Sequence, residues 1–305
     1  MKKTATEGSE KSQLQKGVYG DNWQQEAKEI VSGASGGFLF GIPLLYTMEV
    51  WFIGSYVQPE ILLSILGITS IIILLLNRIE GFRTKESKTL SGAIAETIET
   101  LAIGMTCALI MLVILQRLDW QTPLPEILGK VVFEGVPFSL GVAFSRSLLS
   151  GEEATDSPTG DRESSPSDDR SLSLRDTLAD LSATLIGALF VAFSIAPTDE
   201  IAVLAASASP PWLLIIMVAS LLISYGIVFA ADLTDFDRRR QQQGFFQSPQ
   251  TETIISYLVS LIAGMLMLWF FQQITFSDPW FIWLRYGIIL ALPASIGGAA
   301  GRLAV

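Results

Sequence analysis

The stretch Pro137-Phe-Ser-Leu-Gly-Val-Ala-Phe-Ser-Arg146 returns 156 residues later as Pro293-Ala-Ser-Ile-Gly-Gly-Ala-Ala-Gly-Arg302. Both copies fit the pattern Pro-x-Ser-[Leu/Ile]-Gly-x-Ala-x-x-Arg, and both lie inside long apolar segments. A match at six spaced positions, which include a proline and an arginine in apolar surroundings, is hard to produce by chance. The sequence therefore predicts an internal duplication, which narrows the architectures open to so apolar a chain.

Shorter matches elsewhere support the duplication, because they keep their order along the chain. Their offsets are 150, 151 and 156 residues, and loop insertions account for the small drift. The matched pairs are Gly37-Phe-Leu-Phe40 with Gly187-Ala-Leu-Phe190, Thr47-Met-Glu-Val50 with Thr198-Asp-Glu-Ile201, and Glu96-Thr-Ile98 with Glu252-Thr-Ile254.

The composition is that of a membrane protein. Of 305 residues, 50% are hydrophobic and only 16% are charged, and the mean hydropathy is +0.47. Apolar segments of about 20 residues, the length that crosses a bilayer, recur along the whole chain. Eight spans are predicted, at 33–56, 60–77, 92–115, 127–149, 177–197, 210–231, 252–274 and 281–303.

The basic residues give the expected orientation. They cluster in the N-terminal tail and in the connections that follow the second, fourth and sixth spans, whereas the opposite connections contain only Arg117. The positive-inside rule then places both termini in the cytoplasm. A count of seven or nine spans would break this alternation.

Four segments follow from the pattern. Residues 1–32 form a cytoplasmic tail in which 21–31 can lie as a helix on the membrane surface. Residues 33–149 and 177–305 form two repeats, joined by a Ser- and acid-rich linker at 150–176 that is expected to be disordered. Each repeat has an even number of spans, so the predicted fold is an all-α polytopic protein with eight transmembrane helices in two parallel four-helix repeats.

Prolines and small residues mark the spans. Pro43, Pro137 and Pro293 each remove a backbone donor and free a carbonyl one turn earlier, so each either kinks a packed helix or breaks a helix that lines a path. Glycine and serine recur at four-residue spacing, a pattern that lets helices pack closely. They are Gly33, Gly37 and Gly41, then Gly141 and Ser145, then Gly297 and Gly301.

Charges inside spans are costly and usually face other helices. In an outer layer, Glu49 and Glu200 are expected to face Lys130 and Arg285. In a cytoplasmic layer, Glu96 and Glu252 are expected to contact Arg146 and Arg302. Because both layers recur in both halves, acid–base pairing that locks the bundle is the simpler interpretation, and gating of a pathway is the alternative.

Three acids break the symmetry, of which Asp180 opens the fifth span opposite Ile30. Glu134 lies one turn beyond Lys130, opposite Leu290, and can neutralise Lys130 across one helical turn. Glu99 lies opposite Ile255 and has no obvious local partner in the sequence. Glu99 is therefore the stronger candidate for a carboxylate that binds a proton or a small cation.

No motif for enzyme chemistry is present in the sequence. Histidine is absent and Cys107 is the single cysteine, which excludes a Ser–His dyad and a cysteine metal cluster. There is no Gly-x-Ser-x-Gly motif and no phosphate-binding glycine loop. We expect no enzyme activity, no metal, no cofactor and no nucleic-acid partner.

The stretch Phe40-Gly-Ile-Pro-Leu-Leu-Tyr-Thr-Met-Glu-Val-Trp51, together with Ala196-Pro-Thr-Asp-Glu-Ile201, resembles a family of bacterial integral membrane proteins. That family is common in cyanobacteria and is catalogued as a domain of unknown function of the 2391 type. The resemblance covers both halves, from about residue 20 onward. It implies a bacterial membrane location and carries no substrate with it.

The repeat, the mid-span prolines and the asymmetric acids favour a transporter or channel for a small ion or small solute. The alternative is a non-transporting scaffold or regulator whose charges are all paired. The expected partners are the lipid bilayer and a small cation or proton, and assembly into a homo-oligomer is left open.

The orientation predicts the outcome of proteolysis. Protease added to right-side-out membranes should spare the linker at 150–176, because the bilayer shields a cytoplasmic segment. Cleavage products are read on a gel before and after the membranes are permeabilised. Cutting within the linker of intact membranes would contradict the topology.

Overall fold

The computed structural model describes residues 26–80, 90–152, 169–231 and 249–303. Within these ranges the only regular secondary structure is helical, and the helices are numbered α1 to α10 in chain order. Their bounds are Glu26–Leu45, Met48–Tyr56, Pro59–Glu80, Leu90–Ile114, Leu124–Glu152, Asp169–Ile195, Glu200–Ser207, Pro210–Ala231, Pro249–Phe270 and Trp280–Leu303.

Six of these helices are long and apolar enough to cross a membrane, and the number rises to eight if each of two bent pairs counts as one span. The bent pairs are α1–α2 and α6–α7, which turn by 91° and 92°. The predicted first span, 33–56, is therefore wrong as a continuous helix. The predicted segment 210–231 coincides with α8.

Prolines mark where the helices begin and end. Helices α3, α8 and α9 start on a proline, and α5 and α10 start directly after one. Proline suits the first helical position because its missing N–H would have no partner there in any case. Helix α6 ends at Ile195, two residues before Pro197, because the residue that precedes a proline disfavours the helical conformation.

The expectation of helix breaks at Pro137 and Pro293 is wrong. Both prolines lie inside continuous helices, α5 and α10. Pro43 lies in the last turn of α1, immediately before the first bend. The breaks thus occur in the first helix of each half, and the prolines of α5 and α10 are accommodated within packed helices.

The segment boundaries also shift. Helix α5 extends to Glu152 and α6 begins at Asp169, so the predicted linker 150–176 is helical at both ends. Its centre, 153–168, and the tail at 1–25 lie outside the described residues. Residues 26–31 of the predicted surface helix belong to α1.

Helices α5 and α10 are the central helices of their halves. Helix α5 packs against α1, α2, α3 and α4, and α10 packs against α6, α7, α8 and α9. In α10 every residue from Gly287 to Ala299 is buried. The other helices of each half thus share one packing partner.

Small residues allow the closest helix contacts, as their spacing predicts. A Cβ atom at Gly187 on α6 would overlap the carbonyl oxygen of Gly297 on α10. In the first half, a Cβ atom at Gly36 on α1 would overlap Ser145 and the carbonyl oxygen of Gly141 on α5. The same pair of elements, first helix on central helix, is in backbone contact in both halves.

The two halves share an order of elements. In each, a bent pair is followed by two long helices and then by the central helix. The turn into the central helix also matches, since Gln116 and Gln272, 156 residues apart, have positive φ angles of 55° and 60°. Such angles are uncommon outside glycine. A duplicated chain would produce this agreement.

The close contact predicts an unequal response to one added methyl group. Gly187→Ala should lower the free energy of unfolding in detergent by about 1–3 kcal/mol, because the backbone atoms of Gly297 cannot shift without strain in α10. Gly67→Ala on α3, where nothing lies within 4 Å of the added Cβ, is the matched control and should be neutral or slightly stabilising. Equal melting temperatures for the two variants would contradict the packing described.

Candidate functional site at the helix bends

The first bend is held by a tryptophan. The indole N–H of Trp51 donates to the carbonyl oxygen of Leu45 across 2.8 Å, which satisfies a carbonyl at the end of α1. Thr47, in an extended conformation, precedes α2, and its carbonyl accepts the amide of Val50 at 3.1 Å. The bend is therefore an ordered turn whose polar groups have partners.

The second bend uses different side chains for the same purpose. The hydroxyl and the amide of Thr198 both donate to the carbonyl of Ile195, at 2.7 and 3.1 Å. The side-chain amide of Gln273 donates to the carbonyl of Pro197 at 3.2 Å. Residues 196–199 thus form a compact turn between α6 and α7.

The two bends meet. Glu200, the first residue of α7, is buried, and its Oε1 accepts the backbone amide of Met48 at 3.3 Å. This hydrogen bond joins the start of α7 to the start of α2. We call residues 45–48 and 196–200, with the side chains that contact them, the bend junction.

A second link across the halves explains how α10 tolerates its proline. Pro293 has no N–H and cannot donate to the carbonyl of Ile289 one turn earlier. The hydroxyl of Tyr46, at the first bend, donates to that carbonyl at 2.7 Å. In the first half the corresponding carbonyl belongs to Phe133, and the residue in the place of Tyr46, directly before Thr198, is Pro197, which has no side-chain donor.

Glu134 lies on the face of α5 that points to the first bend. One turn before it, Lys130 lies in close contact with Gly54 of α2, and one turn after it, Phe138 lies in close contact with Gly41 of α1. Residues four apart share a helix face, so Glu134 lies level with the turn between α1 and α2. Its residue exposure is 1%, and its Oε1 has no hydrogen-bond partner among the described residues.

Lys130 does not neutralise Glu134, contrary to one of the two sequence interpretations. Its ammonium contacts Glu126, one turn earlier on α5, at 2.6 Å and donates to the carbonyl of Arg117 at 3.0 Å. Both contacts draw the lysine toward the start of α5 and away from Glu134.

The predicted outer layer of acid–base pairs is also wrong. Glu49 is exposed, and Glu200 accepts an amide rather than a cation. The guanidinium of Arg285 donates to the carbonyl of Ala208 at 2.9 Å. Glu200 and Arg285 satisfy nearby backbone groups instead of each other, and Lys130 pairs with Glu126 on its own helix.

The cytoplasmic layer follows the prediction where it is described. Arg302 on α10 forms an ion pair with Glu252 on α9, and it also donates to the hydroxyl of Ser256 at 3.2 Å. In the first half Glu96 has a partner, but the side chain of Arg146 lies outside the described residues, so that pair stays a prediction.

Glu99 lies on the exposed surface of α4, next to the exposed Ile98, and it has an interaction partner. The expectation that it lacks a partner is therefore wrong. Between the asymmetric acids Glu134 and Glu99, the structure buries Glu134 and leaves Glu99 at the surface of the bundle.

Arg117 is a contact residue of this region that sequence reasoning did not select beyond its charge. Its guanidinium lies 5.0 Å from the ring centroid of Trp51 and donates to the hydroxyl of Ser207 at 2.7 Å. Burial lowers the pKa of this guanidinium from its usual value. It links the α4–α5 connection to the first bend and to the end of α7.

Sequence reasoning also missed Tyr46. A signal for it is visible in the chain, because Tyr46 directly precedes the repeated Thr-x-Glu motif and only the first half has it. Among the described residues, no group of three or more acidic or cysteine side chains could hold a metal ion.

The sequence profile of a family described as "Putative integral membrane protein (DUF2391)" matches residues 29–305. The chain belongs to that family. The match covers both bends and both central helices, so the helices described above are those of a multi-pass integral membrane protein. No curated protein and no solved structure matches the chain.

The tyrosine–proline contact predicts a coupled pair of substitutions. Tyr46→Phe leaves the buried carbonyl of Ile289 without a donor and should destabilise the protein by about 1–3 kcal/mol. In the Pro293→Ala protein, the backbone N–H of Ala at this position can donate to the Ile289 carbonyl. Tyr46→Phe should therefore destabilise that protein clearly less than it destabilises the wild type. Thermal denaturation of the four proteins of this cycle gives the coupling energy. Additive effects would show that Tyr46 and Pro293 are independent.

Proposed function

We propose that this protein is a transporter or channel for a small ion or small solute in a bacterial plasma membrane, with both termini in the cytoplasm. The eight spans count each bent pair once, and they form two parallel repeats. The observation that carries the proposal is the meeting of two broken spans inside the bundle. Enzyme activity forms no part of the proposal.

Broken helices have a restricted use in membranes. Backbone that leaves the helical path inside a bilayer is tolerated only where protein covers it or where it lines a water-filled space. Many transporters place their sites at such discontinuities, between two repeated halves. Here the bends belong to corresponding helices of the two halves and contact each other through Met48 and Glu200.

The agreement between the halves supports the repeat. The bends of 91° and 92°, the shared order of helices and the two glutamines with positive φ all occur at corresponding positions. The matches in sequence have the same offsets. An even number of spans in each half makes the repeats parallel, related by an axis along the membrane normal.

The charge pattern supports the orientation. Basic residues are concentrated in the tail and in the connections after α3, α5 and α8, whereas Arg117 is the one basic residue of the opposite connections. Arg117 is held by Trp51 and Ser207, so it acts as a structural contact at that end of the bundle.

The scaffold alternative has an observation in its favour, since Lys130 and Arg302 each have an acidic partner. Paired charges lock a bundle without any transport. The two functions differ in one measurable property, because only a transporter or channel moves ions across a sealed bilayer.

Flux through proteoliposomes tests the proposal. The purified protein should raise the flux of at least one of proton, Na⁺, K⁺ or Cl⁻ above that of protein-free liposomes. Glu99→Gln should reduce cation flux, because the amide keeps the shape of the side chain and loses its charge. Ile255, its counterpart, indicates that the fold does not need an acid there.

Glu60→Gln at the exposed start of α3 is the matched control and should leave flux and melting temperature unchanged. Wild-type flux that Glu99→Gln does not change would remove Glu99 from the mechanism. Flux equal to that of empty liposomes for every ion would favour the scaffold function.

A further inference from the structure

We infer that Glu134 is a proton-binding site, so that the ion handled at the bend junction is the proton. This inference deepens the proposed function and rests on it for the movement of that proton across the membrane. The occupation of the site does not depend on transport, and the two can be tested separately.

The first argument is the place of the carboxyl group. On its helix face Lys130 lies against α2 and Phe138 lies against α1, so the side chain between them is level with the turn where α1 ends and α2 begins. That turn contacts α7 through Met48 and α10 through Tyr46. Glu134 is therefore a buried acid level with the contact between the two halves, which Glu200, itself buried, makes with Met48.

The second argument is charge. An ionised carboxylate that is removed from water needs a cation or several hydrogen-bond donors. The nearest cation along its helix face, Lys130, is engaged by Glu126 and by the carbonyl of Arg117. The Oε1 of Glu134 has no hydrogen-bond partner among the described residues. A proton bound to the carboxyl removes the charge and supplies a donor at the same time.

The third argument separates a proton from a metal cation. Hard cations take six or more oxygen ligands, or keep water in their place. Ile42 and Leu45 of α1 and Ala108 and Met111 of α4 are buried and apolar, and Met105 of α4 lies against Gly135, the neighbour of Glu134. One carboxyl group in such surroundings is a poor metal site, whereas a proton needs only a single oxygen.

Other ionisable groups lie on the elements packed against α5. Buried Tyr46 donates its hydroxyl proton to Ile289, and buried Cys107 is a free thiol. The acids on these helices are at exposed or partly exposed positions. They are Glu26 and Glu29 on α1, Glu49 on α2, Glu60 on α3, and Glu96 and Glu99 on α4, while the side chain of Glu80 at the end of α3 lies outside the described residues.

The counterpart in the second half indicates that the acid is not needed for folding. The position corresponding to Glu134 is Leu290, which is fully buried on the other central helix. A site of this shape thus accepts an apolar side chain. Glu134→Gln and Glu134→Leu should both fold, and Glu134→Leu serves if the amide disturbs the core.

A hydrophobic carbodiimide tests occupation without any flux. Dicyclohexylcarbodiimide takes the carboxyl proton and adds as a whole to the oxygen, without a leaving group, so it marks protonated carboxyls that lie within the membrane. Purified protein in detergent is treated near neutral pH, and mass spectrometry maps the adduct. We expect modification at Glu134 and none at Glu126, which lies on the same helix and pairs with Lys130.

Proton flux is then measured in proteoliposomes with a trapped pH dye. Glu134→Gln should reduce it to the level of empty liposomes, Glu134→Asp should retain part of it, and Glu60→Gln should match the wild type. Unmodified Glu134 together with unchanged proton flux in Glu134→Gln would overturn the site, even if the protein carries another ion. Modified Glu134 in a protein that carries no ion would uphold the site and reject the transport function.

Discussion

A backbone carbonyl that loses its helical donor inside a membrane must find another donor, and this requirement organises the structure. Pro293 removes the donor of Ile289, and Tyr46 replaces it from the other half of the chain. At the first bend Trp51 does the same for Leu45, and at the second Thr198 does so for Ile195. At each of these three carbonyls a side chain supplies the donor that the helix lacks.

This requirement also explains which features the sequence could reveal. Hydropathy located all the long helices, because burial in lipid needs an unbroken apolar segment. It did not detect the bends, because residues 33–56 remain apolar through a turn of 91°. The prolines inside α5 and α10 were a poor guide to breaks for a related reason. At Pro293 the freed carbonyl accepts from Tyr46, which is remote in sequence, so the local pattern does not show that the helix continues.

The ionisable residues also divide into pairs that the sequence could predict and pairs that only the fold determines. Glu252 and Arg302 pair as their repeated positions near the ends of the spans suggested. Lys130, however, had two acids at the same spacing on its helix, and only the fold could select Glu126 over Glu134. Because Lys130 pairs with Glu126, Glu134 is buried without a cation. That burial is a tertiary property, which no local sequence pattern encodes.

The order of helices along the chain has a consequence for biogenesis. In each half the central helix comes last, so α6, α7, α8 and α9 are synthesised before the helix on which they pack. Until α10 is synthesised, these helices are in contact with lipid and with the first half. The glycine contacts between α6 and α10 form only at that final step. The second half is therefore susceptible to quality-control proteases that recognise unpacked helices until α10 inserts.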